Sequence, residues 1–261
     1  MSAGLALLPI KMAIAASVVV GCSLLAERTG PLVAAMIATL PISLGPVLVF
    51  LALDHDAAFI AASALGTMNA NVAHSAFILS YVLLAQHRAM LPALAGSLAV
   101  WVLALAGVRG LALPVLPLAG LNILAYAVAH ALVRPYLSVR AAGPVALSRF
   151  AIPIRAGCVA ALAGIVTFAS DRVGPLWSGV LAGLPIVLSS LIMILQPRIG
   201  GPAAAAVIGS GALGLLGMGL ALAVVHVMAV PFGSWTALAA GLALAVGWNL
   251  VLTGLARRLA P

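Results

Sequence analysis

Apolar residues in this chain come in long runs rather than in alternation. Stretches such as Ala13–Val20 and Ala237–Val246 lack the every-second-residue polarity of a half-buried strand or of a membrane barrel strand. Cutting at charges, prolines and glycines leaves apolar segments near residues 8–26, 31–53, 57–86, 90–107, 112–132, 151–169, 175–197, 202–229 and 235–256. A helix needs roughly 20 such residues to cross roughly 30 Å of hydrocarbon. The pattern therefore predicts an all-α integral membrane protein with about nine transmembrane helices. The third segment, 30 residues long, is expected to be either a tilted helix or a broken, partly re-entrant one. Because Lys11 lies inside the first segment and apolar segments continue to the end, that segment is expected to be a retained span rather than a cleaved signal.

Composition agrees: 65% of the 261 residues are apolar and 6% charged, against roughly a quarter charged in soluble domains. The formal charge of +8 arises from 12 Lys and Arg against Glu27, Asp54, Asp56 and Asp171. These cations sit mostly singly between spans, so they are read as loop anchors and no nucleic-acid partner is expected. With nine spans, Lys11, Arg109 and Arg172 fall on one side. Arg28, Arg88, Arg134, Arg140, Arg149, Arg155, Arg198, Arg257 and Arg258 fall on the other. The positive-inside rule then expects an inner-membrane protein with its N-terminus outside and its C-terminus cytoplasmic. Cys22 and Cys158 have no metal-ligand spacing and are expected to be inert thiols.

Sliding the chain along itself by 144 residues exposes a repeat. Glu27-Arg28-Thr29-Gly30-Pro31-Leu32 falls on Asp171-Arg172-Val173-Gly174-Pro175-Leu176, and Ala38-Thr39-Leu40-Pro41-Ile42 on Ala182-Gly183-Leu184-Pro185-Ile186. Nine of the 18 positions from 27 to 44 are identical, and Lys11 falls on Arg155. Spans 1–4 then match spans 6–9, with span 5 as a linker. The organisation predicted is a first four-helix repeat over 1–110, a linker helix and cytoplasmic loop over 111–150, and a second repeat over 151–261. An odd number of crossings separates spans 1 and 6, so the copies are expected to be inverted, as in many secondary transporters.

Lys11, Glu27-Arg28, the Gly30-Pro31 pair, the mid-span Leu40-Pro41, Leu91-Pro92-Ala93 and Trp101 together resemble the small four-span GlpM-type inner-membrane protein, present twice. The resemblance covers about 100 residues of the first half and about 50 of the second. It implies a link to polysaccharide production and little mechanism.

Pro41 and Pro185 lie near mid-span, where proline should free the carbonyls of Ile37 and Leu181. Breaks at matching places in inverted halves point to a transport site; kinks that only improve packing are the alternative. Ser189 and Ser190 stand in the second copy where Gly45-Pro46 deepens the first break. Thr67, Asn71, His74 and Ser75, spaced by three and four, are expected to share a face of span 3 as a solute path or proton relay, or else as a hydrogen-bonded interface. Their counterparts in span 8 are Gly211, Leu215, Met218 and Gly219, and the glycines of that span are expected to admit a close helix neighbour.

Glu27-Arg28 and Asp171-Arg172, at the mouths of spans 2 and 7, are candidate gates or plain helix-end ion pairs. Lys11 and Arg155 are expected to snorkel to the headgroups. His130 and His226 are expected to be satisfied core or interface residues, and Asp56 to cap span 3.

The leading functional expectation is a multi-pass transporter of a small solute, with a passive channel and a non-catalytic subunit of an envelope polysaccharide or lipid assembly as alternatives. No enzyme chemistry, cofactor or metal site is expected: the spans carry no Asp pair, His-rich set, HExxH or phosphate-binding glycine loop. The partners expected are the bilayer and the solute, which leaves room for a homo-oligomer.

Overall fold

The computed structural model describes residues 7–28, 44–139 and 151–259, except for the side chains of residues 26–28, 151, 256, 257 and 259. Every regular element among them is a helix: α1 Leu8–Arg28, α2 Leu44–Asp54, α3 Ala57–Leu84, α4 Met90–Gly110, α5 Val115–Val133, a 3-10 turn Arg134–Tyr136, α6 Ala151–Ala182, α7 Ile186–Ile199, α8 Gly201–Ser210, α9 Ala212–Phe232 and α10 Ser234–Leu259. Six helices in the described residues are long and apolar enough to cross a membrane. Leu103, Leu116 and Val230 present large apolar side chains on the outside, Leu116 at 79% exposure. Such an exterior suits hydrocarbon, because in water it would form a large unpaid apolar surface.

The most polar long helix, α3, lies in the middle. It is one continuous helix, which removes the alternative of a broken third segment. Asp56 begins it as expected, accepting a hydrogen bond from the Phe59 N–H at 2.8 Å. It packs against α4, α5, α6, α8 and α9, so its polar groups meet protein rather than lipid.

Helix directions follow from paired contacts. The His226 Nδ1 lies 2.8 Å from the Ala61 carbonyl, and the Asn71 amide donates to the Leu215 carbonyl at 3.0 Å. α3 and α9 therefore run antiparallel. Pro175, Gly179 and Gln196 instead meet Ser63, Thr67 and Tyr81 in increasing order, so the second arm of α6 and α7 run parallel to α3.

That parallel contact is close because its residues are small. A Cβ on Gly66 would overlap the Leu176 carbonyl, and one on Gly179 would overlap that of Ser63. At Gly183 a Cβ would lie 2.6 Å from that of Ala70. Glycines four apart on one helix against Ser, Gly and Ala on the other are how membrane helices gain backbone-to-backbone packing. The expected glycine contacts of span 8 also occur: Gly217 abuts the Trp248 ring and Gly219 the Asn122 amide.

α6 has two arms, residues 151–173 and 175–182, which meet at Gly174 with φ +75°. Glycine suits that left-handed conformation, and Pro175 then starts the second arm, where its missing N–H is harmless. The first arm lies beside α1, with Met12 against Gly164.

Candidate functional site

The site begins where α6 stops. Pro185 is the residue preceding α7 rather than a kink within a helix, so the chain breaks over Gly183-Leu184-Pro185. The expectation that Leu181 loses its partner is corrected here. The last turn tightens, and the Leu184 N–H donates to the Leu181 carbonyl at 3.1 Å. The groups left over are the Ala182 and Gly183 carbonyls and the Val187 and Leu188 N–H groups, none hydrogen-bonded among the described residues. Free acceptors at one helix end and free donors at the next are what a break creates.

One stripe of α3 carries Ser63, Thr67, Ala70, His74 and Tyr81, and Ala70 meets Gly183 of the break. The Ser63 hydroxyl donates to the Pro175 carbonyl at 3.0 Å. Thr67 Oγ1 lies 2.9 Å from the Gly179 carbonyl and 3.0 Å from the Ser63 carbonyl. The Tyr81 hydroxyl meets Gln196 Oε1 at 3.0 Å, and Gln196 donates to the Arg88 carbonyl at 3.0 Å. His74 lies on the same stripe, one turn past Ala70. It is 5% exposed, makes no hydrogen bond among the described residues, and has its Nδ1 fully enclosed. The Trp101 ring of α4 flanks it, with centroids 6.1 Å apart.

The four polar residues of α3 do not act together. At about 100° per residue, Asn71 stands about 60° around the helix from His74. It therefore faces α5 and α9, where both its amide hydrogens are used, on Asn122 Oδ1 at 2.9 Å and the Leu215 carbonyl at 3.0 Å. Asn122 donates onward to the Leu216 carbonyl, and the Tyr126 hydroxyl donates to the Asn71 carbonyl at 2.9 Å. This is an interface fastener. Ser75 donates to Val72 within its own helix, and Ser190 likewise to Val187. Ser189, half-buried, belongs to the first turn of α7, its N–H donating to the Pro185 carbonyl.

Pro41 lies outside the described residues, as do the side chains of Glu27 and Arg28. Asp171 and Arg172 form no ion pair with each other among the described residues. The Asp171 side chain is 81% exposed, 3.9 Å from His55 Nε2, while the Arg172 guanidinium stacks over Phe168 at 4.5 Å. Lys11 does not snorkel. It is buried in an ion pair with Asp54, because α2 ends beside the start of α1. Arg155 keeps its Nε enclosed and unpartnered. Of the two lone histidines His226 is satisfied, whereas the enclosed Nδ1 of His130 has no partner.

Sequence reasoning passed over Asn122, Tyr126 and Gln196, and it weighed Asp54 only as part of an external cation site with Asp56, not as the partner of Lys11. A lone amide inside an apolar run was the available signal for Asn122. Cys22 and Cys158 are free thiols, and no described cluster of three or more His, Cys, Asp or Glu could hold a metal. A groove of about 550 Å³ between α1, α2, α9 and α10 is lined by apolar residues such as Val18, Leu48, Val225 and Trp235. It offers a polar solute no partner and stands apart from the break. No family model, curated protein or solved structure matches this chain.

Proposed function

We propose that the chain is a membrane transporter of a small solute, with its binding site at the break between α6 and α7 and α3 as the wall opposite. The observation that carries this reading is the set of backbone groups at Ala182, Gly183, Val187 and Leu188 that have no hydrogen bond among the described residues. Inside a bilayer such groups are costly, and irregular backbone is tolerated there where it is buried in protein or lines a water-filled path, the second being the arrangement of transporter sites.

Nine crossings form part of the proposal. The apolar stretch Ile152–Ile199, 48 residues long, is read as two crossings that turn at Gly174. The inverted repeat has support in the contacts. Asn71 and Leu215 are 144 residues apart and touch. In an inverted duplication, equivalent residues meet where the pseudo-two-fold axis passes, and the helices that carry them cross antiparallel, as α3 and α9 do. Likewise α4 beside α3 corresponds to α10 beside α9, and the α4–α7 contact to the α10–α2 contact. The GlpM-type resemblance fits a duplicated four-span unit and adds no mechanism.

The test is flux in proteoliposomes, in the wild type and in Pro185→Ala. The substitution lets a helix continue through 182–186 and removes the unpaired groups. Flux should fall at least tenfold while folded yield falls by less than half. Parallel losses in both would end the transport reading.

A further inference from the structure

We infer that the apolar groove between α1, α2, α9 and α10 is a lipid site that holds one acyl chain of a bilayer phospholipid. It stands apart from the break, so it would outlive a failure of the transport reading.

The groove is open because small residues stand where the other half of the chain carries large ones. Under the inverted-repeat reading, positions 144 residues apart are equivalent. α3 and α4 send Phe77, Tyr81 and Trp101 into one buried cluster with Ile192 of α7. Their counterparts are Ala221 and Val225 of α9, Ala245 of α10 and Leu48 of α2, and all four line the groove. Three aromatic side chains thus give way to two alanines and a valine, and about 550 Å³ is left unfilled. Protein interiors close such space, since an empty volume forfeits contacts and costs stability. An apolar hollow of this size is therefore read as a binding site.

The lining, its openness and its depth name the occupant. Among the described residues the lining is apolar apart from the Cys22 thiol and the Trp235 ring N–H, so nothing in it would hold a charge. Val18, Trp235 and Leu242 belong both to the lining and to the exposed outer surface, so the groove opens sideways onto hydrocarbon. Along α10 the lining runs from Trp235 to Ala245, and ten residues of helix rise about 15 Å, half of the roughly 30 Å of hydrocarbon in a bilayer. Trp235 is the second residue of α10, at the helix end where tryptophan favours the membrane–water boundary. The groove is thus one leaflet deep. Its volume suits one chain: a cavity of roughly 150 Å³ takes benzene, so about 550 Å³ takes on the order of 20 carbons. A phospholipid tail is the bilayer component with that length, polarity and volume.

The intact chain is placed in phosphatidylcholine proteoliposomes with a trace of phosphatidylcholine whose tail carries a photoreactive diazirine, and labelled residues are mapped by mass spectrometry. Leu48, Leu222 and Ala245, buried inside the groove, should take label alongside Leu103 and Leu116 on the outer surface. Ala221→Phe with Ala245→Phe returns a ring to each position. Label at Leu48 and Leu222 should then fall at least fivefold while Leu103 and Leu116 are unchanged, because a filled cavity leaves no volume for a second occupant. The groove already has room for both rings, so folded yield should be kept. If the double variant does not fold, Ala221→Phe alone should lower the same label at least twofold. The inference is overturned if the wild type takes label only on the outer surface, whether residues 29–43, a second copy of the chain or nothing at all fills the groove. Label at Leu48 and Leu222 that survives the substitutions overturns it as well.

Discussion

Lys11 shows what a single residue can hide. Its place near the start of an apolar run fits snorkelling, and nothing nearby in sequence argues otherwise. Its partner, Asp54, is 43 residues away and reaches it because α2 ends beside the start of α1. Removing one member of a buried pair leaves the other charge uncompensated, which typically costs about 3–5 kcal/mol. Lys11→Ala and Asp54→Ala should each destabilise by that order in reversible unfolding. Lys11→Met with Asp54→Leu should recover most of the loss. If the double variant is no better than the singles, the pair is not the cause. Asp56 was legible for the opposite reason: its bond to the Phe59 N–H is local, and a cap can be read from three or four letters.

Among elements, the helices were readable and their faces were not. Runs of apolar residues mark α4, α5 and α10 because lipid demands length and apolarity. Pro185 and Gly174 mark a stop and a turn because proline lacks an N–H and fixes φ, while glycine takes a positive φ at no steric cost. Thr67, Asn71, His74 and Ser75 looked like one face, yet the helical drift sends Asn71 to α5 and leaves His74 beside Trp101 of α4. Only the neighbouring helices decide between fastening and open chemistry. The small residues between α3 and α6 make a sharper claim at this scale. Gly179→Ala places a methyl on the Ser63 carbonyl and should destabilise by about 1–3 kcal/mol. Gly120→Ala, helical with open space around it, should be neutral or stabilise by up to about 1 kcal/mol. Equal behaviour of the two variants would contradict the close contact.

Across the whole molecule, the reading of nine crossings in two inverted halves makes a prediction about sidedness. In a background with Cys22 and Cys158 replaced, cysteines at His87 and Gly200 should react with a membrane-impermeant maleimide from one side, and those at Leu111 and Gly233 from the other. Labels flanking Gly30 and Gly174 should also lie on opposite sides. A shared side for that last pair would dissolve the inverted repeat. The internal similarity that suggests the repeat is confined to residues 27–44, where Gly, Pro and the acid-Arg pair align. It fades further on, where α3 and α9 carry different chemistry at positions 144 residues apart.

Helices that mesh through glycine leave no slack between them. α3 and the second arm of α6 touch backbone to backbone, so neither can slide along the other without lifting away entirely. Any rocking that exposes the break to one compartment and then the other must carry the two as a single rigid lever. The fulcrum would then sit at the turns on either side, Gly174 and the short step from Asp54 to Asp56, the latter held by the Lys11–Asp54 pair and the Asp56 cap. Stiffening those two turns, far from any solute, is where the cycle would be most easily stalled.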